Sequence, residues 1–97
     1  MPGYDFGGPV DWAKIPAWDG SNAPPLSVSD AIRIGQGYLV SNAPPRGHWD
    51  LQSIALSKGD SDRWEYELVF HDDSRRVSND ELLRVLMNGQ VGRMKMK

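Results

Sequence analysis

The chain has 97 residues, 39% of them hydrophobic and 25% charged, which is ordinary globular usage and excludes disorder of the whole chain. Eleven basic against thirteen acidic residues leave a net charge of −2, so nothing electrostatic points to nucleic acid or an anionic membrane as the main partner. The absence of cysteine excludes disulfides, thiolate nucleophiles and cysteine-ligated zinc, and no apolar run reaches the ~20 residues that span a bilayer.

Residues 1–25 hold Pro2, Pro9, Pro16, Pro24 and Pro25 with Gly3, Gly7, Gly8 and Gly20, so helix and ladder hydrogen bonding is interrupted every few residues. We read 1–25 as an irregular strap or linker and 26–97 as a single α+β domain. The strap carries Trp12, Ile15 and Trp18, an apolar load that points to a segment folded back on the domain; a flexible linker is the competing reading.

A helix opens at Ser27, whose hydroxyl can accept from the Asp30 N–H while the Asp30 carboxylate sits in the positive first turn. Val28, Ala31, Ile32, Gly35, Tyr38 and Leu39 recur at spacings of three and four and form the stripe expected to be buried, with Arg33 and Gln36 outside it. Gly35 on that stripe implies a helix backbone pressed close against a sheet. Asn42-Ala43-Pro44-Pro45 ends the helix, because a residue before proline is pushed out of the α region.

The next segment alternates with Trp49 and Leu51 inward, then Ile54 and Leu56 on the opposite phase, which predicts a strand with a β-bulge near Ser53. Lys58 to Asp62 is turn chemistry. A clean strand follows, with Trp64, Tyr66, Leu68 and Phe70 on one side and Arg63, Glu65, Glu67 and Val69 on the other. One face of the sheet is therefore expected to be wet, as in an antiparallel sheet covered on one side. Residues 78–91 support two readings: Ser78 to Glu81 is a capping box for a helix, and Asn88-Gly89 is a hairpin signal. We take the hairpin, with Met87 facing Gln90 and Leu83 facing Met94. The expected fold is α+β, with one N-terminal helix packed on a 3–4-stranded antiparallel sheet behind the strap.

His71-Asp72-Asp73 is the one place where three metal-capable side chains adjoin, with His48 near it if the flanking strands pair; adjacent side chains point apart, so a polar turn is the simpler reading. No Gly-x-Ser-x-Gly elbow accompanies either histidine, so we assign no catalytic residue, metal site or cofactor. Glu65 and Glu67 share a face about 7 Å apart, the spacing of a carboxylate pair, but on an open polar face they read as solvated. Arg75 and Arg76 with Arg93, Lys95 and Lys97 could form a basic patch for an acidic partner or serve as solubilising charge. Trp49 and Trp64 fall on core phases, whereas Trp12 and Trp18 are candidate interface anchors, as are Arg75 and Arg76.

The Leu26-Ser27-Val28-Ser29-Asp30-Ala31-Ile32-Arg33-Ile34 helix opening, the Arg63-Trp64-Glu65-Tyr66-Glu67-Leu68 strand and the Leu86-Met87-Asn88-Gly89-Gln90-Val91 hairpin together resemble a divergent PepSY-type domain. The Trp49-Asp50-Leu51-Gln52-Ser53-Ile54 strand is similar to one in small exported bacterial lipoproteins. The longer, charged 70–80 segment departs from a compact PepSY repeat. The resemblance implies an extracytoplasmic protein, periplasmic or secreted, with or without a lipid anchor in its native form, that has a binding or peptidase-restraining role toward a protein or peptide and no catalysis. A structural accessory domain of a larger exported assembly is the alternative, and a small hydrolase or metal-binding protein is the third. A monomer or weak homodimer is expected, with no nucleic acid bound and no membrane insertion.

Overall fold

The computed structural model describes residues 4–42, 48–59, 62–72 and 79–94. In chain order they form β1 (Tyr4–Asp5), a 3-10 turn (Trp12–Lys14), α1 (Val28–Asn42), β2 (Trp49–Lys58), β3 (Trp64–Asp72), β4 (Asn79–Leu86) and β5 (Val91–Met94). The strands make one antiparallel sheet in the order β1-β5-β4-β3-β2. The α+β class is as expected, with two corrections. The helix is not N-terminal, because β1 precedes it, and the sheet has five strands rather than three or four. The added strand is two residues of the strap, paired Tyr4 to Met94 and Asp5 to Arg93, and two residues carry no periodicity to read.

The predicted cap forms: the Asp30 N–H donates to the Ser27 hydroxyl at 3.1 Å, and the Ala31 N–H donates to the Ser27 carbonyl at 2.9 Å. Ala31, Gly35 and Leu39 are the buried line of α1. Val28, placed on that line by spacing, is 47% exposed. Leu26 makes the contact at that end instead, packing against the core while its carbonyl accepts from the Tyr66 hydroxyl at 2.7 Å. At Gly35 an added Cβ would meet Leu83 Cδ1 and Phe70 Cε2 at 3.4 Å, so the helix does lie close over the sheet, though not too close for alanine.

Beneath the helix, β3 supplies Tyr66, Leu68 and Phe70, all fully buried, with Trp64 partly buried beside them. β4 adds Leu83 and Val85, and β2 adds Trp49, whose carbonyl accepts from Gln36 Nε2 at 3.2 Å. The bulge lies where the phase change put it: Leu51 pairs with Phe70 and Ser53 with Val69, leaving Gln52 as the extra residue. It returns Ile54 and Leu56 to the face shared with Trp49 and Leu51.

The β4–β5 hairpin forms, but one residue out of the expected register. Val85 pairs with Val91 and Leu83 with Arg93, not with Met94. The loop is Met87-Asn88-Gly89: the Gly89 N–H donates to the Leu86 carbonyl at 2.8 Å, the Leu86 N–H donates to the Gln90 carbonyl at 2.9 Å, and Gly89 has φ +89°. Here the glycine is the left-handed residue of a three-residue loop with a bulge, not half of a two-residue turn. β2 and β3 close in the same way. The Asp62 N–H donates to the Gly59 carbonyl at 3.0 Å, the Gly59 N–H donates to the Arg63 carbonyl at 2.9 Å, and Asp62 takes φ +65°.

The strap passes from one face of the sheet to the other. Tyr4 and Phe6 lie on the face away from the helix, Arg63 Nε donates to the Ile15 carbonyl at 3.2 Å, and Trp18 meets Trp64 on the helix face. Ile15 is 2% exposed, so the strap contributes to the core.

Gly37, exposed in mid-helix with open space where a Cβ would stand, should give about 0.5–1 kcal/mol of added stability as Gly37→Ala. Gly35→Ala should match it, and Gly35→Leu should lose about 1–3 kcal/mol by overpacking, all read by denaturant unfolding. Burial holds the Tyr66 hydroxyl above its ordinary pKa. Its contribution is complete below about pH 10 and is lost at higher pH, because the unfolded chain ionises first. Relative to its own stability at neutral pH, Tyr66→Phe should show a shallower alkaline loss in pH-dependent melting.

Candidate functional site

The face opposite the helix is not simply wet. The Arg84 guanidinium lies between two carboxylates, with Nε 3.0 Å from Glu65 Oε2 and 3.8 Å from Glu67 Oε2. Arg84 Nε is buried and lies off the axis of a linear hydrogen bond to Glu65, so the contact is an ion pair. The Tyr4 ring covers the guanidinium at 4.3 Å, and its hydroxyl donates to Glu67 Oε2 at 3.5 Å. Burial raises the Tyr4 hydroxyl pKa, with Glu67 adding to the rise and Arg84 opposing it. Glu65 is only 4% exposed, which corrects the reading of a solvated acid pair. The pair is still not a glycosidase arrangement, since the guanidinium fills the space a scissile bond would need. Sequence reasoning missed this network because Arg84 reaches the glutamates only through the β3–β4 pairing and Tyr4 reaches Arg84 and Glu67 only through the full strand order.

At the far end of the same face, Asp50, His71 and Asp80 pair across β2, β3 and β4 in one row. His71 Nδ1 is 2.7 Å from Asp80 Oδ1, and His48 Nε2 is 3.5 Å from Asp50 Oδ1. His48 is thus beside the Asp50 that pairs with His71. Asp72 is buried on the helix face opposite Trp49, and Asp73 is outside the described residues. Among the described residues no group of three or more histidine, aspartate or glutamate side chains is placed to hold a metal ion.

Of the proposed interface residues, Trp12 and Trp18 lie in separate aromatic pairs. Trp12 is 37% exposed and stands edge-on to Phe6, with centroids 6.0 Å apart, whereas Trp18 is half-buried edge-on to Trp64 at 4.9 Å. Trp18 Nε1 donates to the Asn22 carbonyl at 2.8 Å, and the open cleft beside it is lined by Ala17, Asp19, Asn22, Ala23 and Pro25. Arg75, Arg76, Lys95 and Lys97 lie outside the described residues. Arg93 is committed to Glu81 by two hydrogen bonds of 2.7 and 2.8 Å, which raise its pKa above the already high arginine value, so it is not a loose member of a basic patch.

One outer strand of the sheet is β2. β2 is the longest strand, ten residues, and pairs only with β3 among the described residues. From Leu51 to Ser57 it carries no charge and no proline, and Leu51 is 36% exposed. Native sheets usually guard such an edge with lysine, proline or a covering element. Here the bulge at Gln52 and the terminal Asp50 and Lys58 are the guards on the strand itself.

No protein-family model matches the chain, and comparison with curated proteins and with solved structures gives no match either. No helix among the described residues is long and apolar enough to cross a membrane.

Removing the cation between Glu65 and Glu67 should be costly. Arg84→Met should destabilise by about 2–4 kcal/mol, whereas Glu67→Gln, at the exposed end of the network, should cost under about 1 kcal/mol. Urea unfolding of the two variants against the parent checks the ordering.

Proposed function

We propose that this chain is a non-enzymatic binding module that takes an extended protein or peptide segment along the outer edge of β2. The observation that carries the reading is the uncharged run Leu51–Ser57 on a terminal strand. An added strand would satisfy the outward backbone groups of β2 through main-chain hydrogen bonds, and its alternate side chains would meet Leu51, Ile54 and Leu56 on the helix face. Ile54 and Leu56 are only partly buried, so apolar area remains to be covered there. The resemblance of the helix, aromatic strand and terminal hairpin to a PepSY-type domain supports a binding or restraining role in an exported protein.

Selection from a displayed library of linear peptides tests the reading. Enriched sequences should alternate apolar residues with period two, perturb the amide resonances of Leu51–Lys58, and bind about tenfold or more weakly to the edge-charged variant Gln52→Lys/Ala55→Lys. Peptides that bind this variant as well as the parent, at unchanged melting temperature, would remove β2 as the docking edge.

A further inference from the structure

The opposite edge of the sheet is a second strand-accepting site, already filled. β1 is held there by very little backbone: Tyr4 and Asp5 pair with Met94 and Arg93, the outer half of the four-residue β5. The arm then leaves, because the Asp5 carboxylate accepts from the Gly7 N–H at 2.9 Å and Gly7 turns with φ +79°. What fixes the arm is its side chains. Tyr4 stacks on Arg84, and Phe6 lies over Gly92, where an added Cβ would stand 2.5 to 2.8 Å from three atoms of the Phe6 ring. This edge therefore presents two sockets on one face, the Arg84 guanidinium of β4 and, opposite it, the bare backbone of Gly92 in β5, matched to aromatic side chains two residues apart on an extended chain.

We propose that the β5 edge is a recognition site for an extended aromatic–x–aromatic segment of a partner protein, and that residues 4–6 are a tethered occupant such a segment displaces. The resident arm reveals the chemistry of the site and is a poor competitor for it. Its turn at Asp5 forfeits pairing along Val91 and Gly92, which a segment that stays extended would gain. The exposed Gly7-Gly8-Pro9 connection gives the arm a hinge on which to leave. This site is independent of the β2 edge, so either assignment can fail alone.

The test uses the full chain and the blocked peptide acetyl-Tyr-Asp-Phe-Val-amide, whose valine continues the pairing to Val91. The double variant Tyr4→Ala/Phe6→Ala empties the sockets, and Phe6→Ala alone serves in the same way if the double variant does not fold. Titration followed by amide resonances should give saturable shifts at Arg84, Gly92 and Arg93 in the emptied protein. The parent should bind about tenfold or more weakly, because its own arm competes at the millimolar effective concentration of a short tether. Adding Gly92→Ala to the emptied protein should abolish binding. Absence of saturable shifts in a folded emptied variant, equal binding by parent and variant, or shifts confined to β2 would each overturn the proposal.

Discussion

The side chains of Tyr66, Leu68 and Phe70, aligned on one face of β3 and wholly withdrawn from water, place nearly everything else. They are buried because α1 lies over them, and α1 is held there by contacts to the same residues: Gly35 passes over Phe70, and the Tyr66 hydroxyl holds the Leu26 carbonyl at the helix entrance. The hydroxyl matters because a fully buried phenol without an acceptor costs about 1–3 kcal/mol. The acceptor it finds is the backbone just ahead of the helix cap. That hydrogen bond therefore ties the end of the strap and the entrance of the helix to β3.

The reverse face is organised on a different principle. No helix covers it, and two of the alternate residues of β3 there are glutamates, of which Glu65 is buried and so needs a cation. Arg84 supplies it from β4, and the Tyr4 ring then covers the guanidinium that lies between them. Apolar packing on one side and a charge-balanced network on the other thus stabilise the same β3–β4 pair, and the strap takes part in both, through Trp18 against Trp64 and through Tyr4 against Arg84.

Elements whose cause is local were legible in the sequence. The Ser27 cap, the alternation on β3 and the bulge beside Ser53 each depend on residues within a few positions of one another, and each is where the pattern put it. Features that depend on a partner far along the chain were not. Asn88-Gly89 announced a turn, but whether the glycine was the second or third loop residue was decided by pairing Val85 with Val91, and the choice moved the register by one. Glu65 read as solvated because it lies against Arg84 of the neighbouring strand and against Gly59 beyond the end of β2. Val28 obeyed the helical spacing and is exposed all the same, since the chain reaches the core through Leu26 before the helix has completed a turn.

The two edges of the sheet show how this chain manages unpaired backbone. At β5 it uses its own N-terminal residues, held by aromatic side chains more than by ladder bonds. At β2 it uses a bulge and end charges, leaving the middle of the longest strand uncharged. A sheet that needed only to be protected would be expected to charge or shorten β2, because an unguarded edge risks aggregation. Retaining ten residues of edge, with the bulge spent on keeping Ile54 and Leu56 turned toward the core side, preserves both the backbone template and the apolar row that an incoming strand would read. The proposed docking of a strand on β2 rests on that combination.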